Sequence, residues 1–212
     1  MRIKAKEFFY LSNLLSISRM VLGYPLFYLI KINSQTGDYY YWLIGLVFFA
    51  AISDMLDGYF SRKLNQITDL GKLLDPLADK VAMAFIAIGL ILYKNYPLPL
   101  VALLLYRDFF IIIIGLLGLL KSEKPIMANF WGKLNTSVIS ISGLLLILNY
   151  TGLFYKIAVA AGYFTIFISG FSYLIVGEKL LFEKSWERFL FRTLVILITG
   201  VFLYALSAFS FL

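Results

Sequence analysis

Neither cysteine nor histidine occurs in the 212 residues. Disulfides, thiolate nucleophiles, imidazole acid–base groups and the usual Cys/His zinc sites are therefore excluded. Any metal has to be held by oxygen, and carboxylate oxygens select hard cations such as Mg2+, Mn2+ or Ca2+. Charge is sparse as well: 15% of the residues are charged, against roughly 25% in an average soluble domain. Internal repeats and low-complexity tracts are absent, which argues against a transporter assembled from inverted repeats.

Apolar residues make up 61% of the chain and the mean hydropathy is +0.87. They gather into runs at about 9–31, 39–61, 74–93, 97–120, 134–151, 155–177 and 189–211, near the roughly 20 residues that cross a hydrocarbon core of about 30 Å. The expected fold is all-α: a polytopic transmembrane helix bundle with six core helices and an extra C-terminal helix, residues 1–212 forming one integral membrane domain. Breakers and polar residues fill the connectors, among them Asn33 to Asp38, Asn95 to Pro97, Ser122 to Pro125, Asn149 to Gly152 and Glu178 to Arg188. The basic start, Met1 to Glu7, precedes an apolar stretch as in a signal peptide. Asn13, Ser16, Ser18 and Arg19 interrupt that stretch and no small-x-small cleavage site follows, so it is read as a retained first helix.

Orientation follows from the basic residues of the short loops. With the N-terminus in the cytoplasm, Arg2, Lys4, Lys6, Arg62, Lys63, Lys72, Lys121, Lys124, Lys133, Lys179, Lys184, Arg188 and Arg192 fall on that side, and Lys31, Lys94 and Lys156 on the other. This asymmetry is the positive-inside bias. The net charge of +7 also suits a surface of anionic lipid, although a solvated basic rim explains most of it. Arg19, Lys80 and Arg107 remain inside or at the edge of the apolar segments. Intramembrane charges face a bundle interior or a polar cavity, so these three are candidates to neutralise carboxylates or an anionic substrate.

Residues 54 to 80 place Asp54, Asp57, Asp75 and Asp79 at the ends of two apolar segments. Dry and unpaired inside a membrane, four such groups would cost on the order of 10 kcal/mol. Asp54 and Asp57 are spaced i, i+3 and Asp75 and Asp79 i, i+4, so each pair projects from one helix face. The link from Arg62 to Leu74 lets the two helices return as an antiparallel pair, bringing the four carboxylates together near the cytoplasmic 61–74 loop. Two divalent cations would neutralise such a cluster. Paired hard metals suit phosphoryl transfer, in which they clamp attacking and leaving oxygens.

Gly58 leaves room for a ligand one turn after Asp54, and Arg62 a turn later offers a fork of donors to phosphate or ribose; taken singly, helix packing and a membrane-edge cap are favoured, and in this spacing the ligand reading prevails. Asp69 lies outside this spacing and is assigned to loop solvation or helix capping, and Asp108 is expected to balance the charge of Arg107.

The full pattern reads Asp-x-x-Asp-Gly-x-x-Ser-Arg, then Gly71-x-x-x-Asp75-x-x-x-Asp79. Apart from Ser61 where Ala is usual, it resembles the signature of the CDP-alcohol phosphatidyltransferase family, and the basic N-terminus and six-helix hydropathy extend the resemblance to about residue 178. The seventh apolar segment departs from the family's six-helix plan.

The resemblance implies an enzyme of phospholipid synthesis that displaces CMP from CDP-diacylglycerol with an alcohol, using two divalent cations, Mg2+ or Mn2+. It implies metal ligation by Asp54, Asp57, Asp75 and Asp79, with Asp79 as general base. Gly58, Arg62 and Thr68 match positions that hold the CDP moiety, and Asn13 with Ser16 matches a first-helix Asn-x-x-Thr element near the nucleotide. A bacterial cytoplasmic membrane, an active site facing the cytoplasm, a possible homodimer and no nucleic-acid partner complete the expectation.

Three short elements lean toward glycerol 3-phosphate as acceptor. Ser12 to Arg19, Tyr106-Arg107-Asp108 and Gly132-Lys133-Leu-Asn-Thr136 resemble elements of bacterial phosphatidylglycerophosphate synthases, and Arg107 and Lys133 would grip the acceptor phosphate. Orientation signals, or pairing of Arg107 to Asp108, account for the same two residues. Serine, inositol phosphate and phosphatidylglycerol stay open as acceptors. A divalent-cation transporter is the remote alternative, and it leaves the spacing of Gly58, Arg62, Thr68 and Gly71 unexplained.

Overall fold

The computed structural model describes residues 10–63, 69–122 and 129–209. Some helical side chains, those of Asp54, Asp57, Gly58 and Arg62 among them, lie outside that description. The described residues form seven helices and no strand: α1 (Leu11–Thr36), α2 (Tyr40–Lys63), α3 (Asp69–Lys94), α4 (Leu98–Ser122), α5 (Phe130–Ile147), α6 (Leu153–Leu181) and α7 (Ser185–Phe209).

The stops are local and chemical. Gly37 closes α1 with φ 77°, its N–H donating to the Asn33 carbonyl, because only glycine takes the left-handed region without a Cβ penalty. Asn95 and Asn149 take the same conformation after α3 and α5, with φ 54° and 58°. The Tyr96 N–H then reaches back to the Leu90 carbonyl at 3.0 Å, as a helix ending on a left-handed residue requires.

Five helices, α1, α4, α5, α6 and α7, are long and apolar enough to cross a membrane. The chain is an integral membrane protein. The other two are the helices that bear the carboxylates: the apolar part of α2, taken over its described residues, runs only from Tyr40 to Ser53, and α3 carries Asp79 and Lys80 well inside its length.

Several helix ends differ from the sequence expectation, among them that of α1, which runs on to Thr36. α2 continues through Lys63 and α3 already includes Asp69, both inside the link expected from Arg62 to Leu74. Asp75 and Asp79 thereby sit two to three turns inside a helix. Likewise α6 runs on to Leu181, placing Glu178 inside a helix instead of a connector. Glu178 is tolerated there, 3% exposed, because the guanidinium of Arg192 on α7 binds both its oxygens.

The chain divides into two compact units, residues 1–96 with 146–149, and residues 97–145 with 150–212. In the first, α1 lies against α2 and α3. The register of α1 on α3 is set by close approach: a Cβ added to Gly23 would lie 2.8 Å from Phe85 Cδ2 and 3.2 Å from Ala82 Cα, and one added to Gly89 would lie 3.3 Å from Ile30. These contacts advance together along both chains, so α1 and α3 run parallel. Small residues at such crossings let membrane helices pack without a hydrophobic driving force.

In the second unit α4 and α6 meet in the same way. A Cβ on Gly162 would lie 3.3 Å from Leu100, and one on Gly177 would lie 2.6 Å from Ile114.

Candidate active site

The parallel register of α1 and α3 brings two polar residues of α1 onto two carboxylates of α3. The Ser16 hydroxyl, fully buried, donates to Asp75 Oδ1 at 2.6 Å. One turn further on, Arg19 Nε lies 3.0 Å from Asp79 Oδ1, with Arg19 4% exposed and the Asp79 side chain 46% exposed. Ser16 and Arg19 are three apart on α1 and Asp75 and Asp79 four apart on α3, so both pairs lie on facing surfaces. A buried cation thus stands behind Asp79 while half of that carboxylate stays accessible.

This donor set is all oxygen, and Asp75 and Asp79 share a helix face with part of each side chain open. It suits a hard divalent cation. Among the described residues, no three acidic side chains come together. The third and fourth expected ligands, Asp54 and Asp57, ride on the last turns of α2 with side chains outside the description, as do Gly58 and Arg62, and Thr68 lies outside the described residues altogether. Asp69 is the first described residue of α3, and its side chain lies outside the description. Asn13, expected near the nucleotide, is 1% exposed on α1.

The second unit gathers the other expected residues. Arg107 on α4 is 8% exposed and already partnered: Nε and Nη2 donate to Ser169 Oγ on α6 at 3.1 and 2.6 Å, and Nη1 donates to Asp108 at 2.8 Å. The expected charge balance with Asp108 is present. The guanidinium also stands over the Tyr173 ring, 5.6 Å from its centre. A Cβ added to Gly132 would lie 2.9 Å from both Arg107 Nη2 and the Tyr173 hydroxyl. The two short elements, Tyr106-Arg107-Asp108 and Gly132-Lys133-Leu-Asn-Thr136, therefore meet, and glycine is what lets them.

Lys133, the next residue, is exposed on the first turn of α5. That turn is held by Asn129, whose Oδ1 accepts from the Gly132 N–H at 2.8 Å in the manner of a helix N-cap. Its Nδ2 donates to Ser172 at 2.7 Å and its backbone N–H donates to the Tyr173 hydroxyl at 3.2 Å. Sequence reasoning missed Ser169, Tyr173 and Asn129. A lone serine or tyrosine in an apolar helix carries no signal of its own, but Asn129 just ahead of an apolar run was a readable cap.

A sequence model of the CDP-alcohol phosphatidyltransferases matches residues 9–172. The chain belongs to the CDP-alcohol phosphatidyltransferase family. It is accordingly an enzyme of that family, and the family match spans α1 to α5 and most of α6, leaving α7 outside.

Among relatives of this phosphatidyltransferase, a CDP-diacylglycerol–glycerol-3-phosphate 3-phosphatidyltransferase of Aquifex aeolicus is 33% identical over 179 residues, covering 81% of this chain and 98% of the relative. A protein of the same name from Bacillus subtilis is 33% identical over 156 residues, covering 68% and 75%. A CMP-forming cardiolipin synthase of Streptomyces coelicolor is 32% identical over 139 residues, covering 64% and 63%.

Proposed function

We propose that this phosphatidyltransferase transfers the phosphatidyl group of CDP-diacylglycerol to glycerol 3-phosphate, releasing CMP, with residues 1–212 working as one membrane domain whose active site faces the cytoplasm. The observation that carries the proposal is the anchoring of Asp75 and Asp79 from α1, which leaves two fixed, part-exposed carboxylates on one face of α3. Asp54 and Asp57 supply the remaining ligands, and Asp75 and Asp79 complete a site for two divalent cations, Mg2+ or Mn2+. When bound, these cations draw charge off the pyrophosphate and stabilise the leaving phosphate of CMP.

The chain's own residues do the rest. Asp79, as general base, takes the proton of the acceptor hydroxyl, which is a poor nucleophile until that proton leaves. Arg19 holds Asp79 Oδ1 at 3.0 Å and so fixes the orientation in which the part-exposed carboxylate meets the acceptor. Ser16 orients Asp75 by its hydroxyl bond, and Asn13 with Ser16 lies on the side of α1 that serves the nucleotide. Gly58, Arg62 and Thr68 hold the CDP moiety. Without a histidine to activate a serine or threonine, direct displacement is favoured over a covalent enzyme intermediate.

Arg107 and Lys133 take the acceptor phosphate. Arg107 has the geometry for it: Ser169 and Asp108 engage three of its N–H positions, and the planar fork carries five. The relatives named for glycerol 3-phosphate support this acceptor, while the cardiolipin synthase of Streptomyces coelicolor keeps phosphatidylglycerol as the second choice.

Purified enzyme in detergent, given CDP-diacylglycerol, Mg2+ and one acceptor at a time, tests the assignment by CMP release. Release with glycerol 3-phosphate and none with serine, inositol phosphate or phosphatidylglycerol is expected. Release with phosphatidylglycerol alone would transfer the assignment to cardiolipin synthesis.

A further inference from the structure

Helix α7 lies beyond the matched family region and is attached in an unusual way. Polar hooks hold it: Arg188 Nε to the Phe182 carbonyl at 2.9 Å, Arg192 to Glu178 on α6, and Thr199 Oγ1 to the Tyr106 hydroxyl on α4 at 2.8 Å, where Phe202 also stacks on the Tyr106 ring with centroids 4.4 Å apart. Beyond these contacts and the approach of Phe191 to Phe182, with ring centroids 5.3 Å apart, the helix packs sparsely. None of the residues in its most apolar stretch is buried, and a cavity of about 380 Å3 opens between α4, α6 and α7.

Two glycines shape that cavity. Gly170 on α6 and Gly200 on α7 both line it, and a Cβ added to either would meet nothing within 4 Å. Phe167, Phe171 and Ile196 also line it and are 51%, 61% and 65% exposed, so the cavity opens sideways between helices that each span the bilayer.

The occupant follows from elimination. At about 30 Å3 each, roughly a dozen waters would fill this volume, and each needs two to four polar partners. The wall is apolar apart from the Tyr106, Arg107, Tyr173 and Thr199 groups; Tyr106 and Thr199 bond each other, and Arg107 and Tyr173 already bond Ser169, Asp108 and Asn129, which leaves too few polar positions to serve a dozen waters. Left empty, the lining would forfeit its dispersion contacts. Collapse of α7 onto α4 and α6 is resisted by the hooks, which fix its distance from both.

We propose that the α4–α6–α7 cavity binds one acyl chain of a bilayer phospholipid, which completes the packing of α7. It is a site for a resident lipid, separate from the reacting CDP-lipid, and it stands whether or not glycerol 3-phosphate is the acceptor. Because Arg107 is part of the wall, the bound chain also supports the α4 segment that carries it.

Lipid-stripped protein in detergent is titrated with phosphatidylcholine carrying a photoreactive diazirine in its acyl chain, and labelled peptides are mapped by mass spectrometry. Labelling of residues 103–114, 166–174 and 195–203 should saturate at about one lipid per chain, while labelling around Tyr204, 77% exposed, keeps rising with lipid. Gly170→Leu and Gly200→Leu, which fill the cavity, should each cut labelling of the lining at least tenfold and leave labelling at Tyr204 unchanged. Non-saturating labelling in the wild-type protein, which needs no variant to fold, would mean ordinary annular lipid and overturn the site. So would labelling obtained only with a diazirine-bearing CDP-diacylglycerol, or labelling of the lining that survives both substitutions.

Discussion

Replacing Arg19 with Gln removes the cation behind Asp79 while keeping a polar side chain of similar reach. Removing one partner of a fully buried ion pair costs about 3–5 kcal/mol, whereas fully exposed pairs are worth about 0–1 kcal/mol. This pair lies between the limits, with Arg19 4% and Asp79 46% exposed. A loss of about 1–3 kcal/mol is therefore expected, read as a shift in reversible unfolding in mixed detergent micelles. Arg19→Gln, Asp79→Asn and the double variant form a cycle. Coupling of about 1 kcal/mol or more is expected, because residues in contact depart from additivity and distant ones add to within about 0.3–0.5 kcal/mol. In turnover, Arg19→Gln should lower kcat about tenfold or more with the CDP-diacylglycerol KM little changed, since the base loses its fixed orientation rather than the substrate its contacts. Additive unfolding energies together with wild-type kcat would refute the idea that Arg19 positions Asp79.

Gly132→Ala sets a methyl 2.9 Å from Arg107 Nη2; strain of about 1–3 kcal/mol outweighs a helix-propensity gain of at most about 1 kcal/mol, so both stability and glycerol 3-phosphate affinity should fall in a thermal melt and a KM measurement. Arg107→Ala and Lys133→Ala should each raise the KM for glycerol 3-phosphate about 10- to 100-fold, the equivalent of a charge-assisted contact worth about 1.5–3 kcal/mol, and leave that for CDP-diacylglycerol nearly unchanged. Lys133→Arg should be milder, retaining charge with altered donor geometry; equal rises in both KM values would detach these residues from the acceptor. Asp57→Ala should shift the Mg2+ activation curve to higher concentration, and superimposable curves for variant and wild type would remove Asp57 from the metal site.

Much of this was legible in the chain. Seven apolar runs became seven helices, and the glycine and asparagine stops at Gly37, Asn95 and Asn149 fell where the turn chemistry pointed. The carboxylate spacing pointed to the candidate site because ionisable groups at fixed intervals in a membrane helix are too costly to be incidental.

What the sequence did not disclose was pairing across distance. Arg19 was visible as a stranded cation, but its partner lies 60 residues away on α3 and is chosen by the glycine-set register of α1. Glu178 was read as a connector residue because a lone acid near a helix end looks solvated; its partner Arg192 on α7 reverses that reading. Ser169, which receives two Arg107 donors, had no pattern around it to read.

The most direct measurement is product analysis by mass spectrometry in a single reaction of purified enzyme, CDP-diacylglycerol, glycerol 3-phosphate and Mg2+. Phosphatidylglycerophosphate should appear mole for mole with CMP, and neither should form with Asp79→Asn, which should still insert in the membrane and bind CDP-lipid but has no carboxylate to take the acceptor's proton. CMP formed without phosphatidylglycerophosphate, or equal product from Asp79→Asn, would contradict the account.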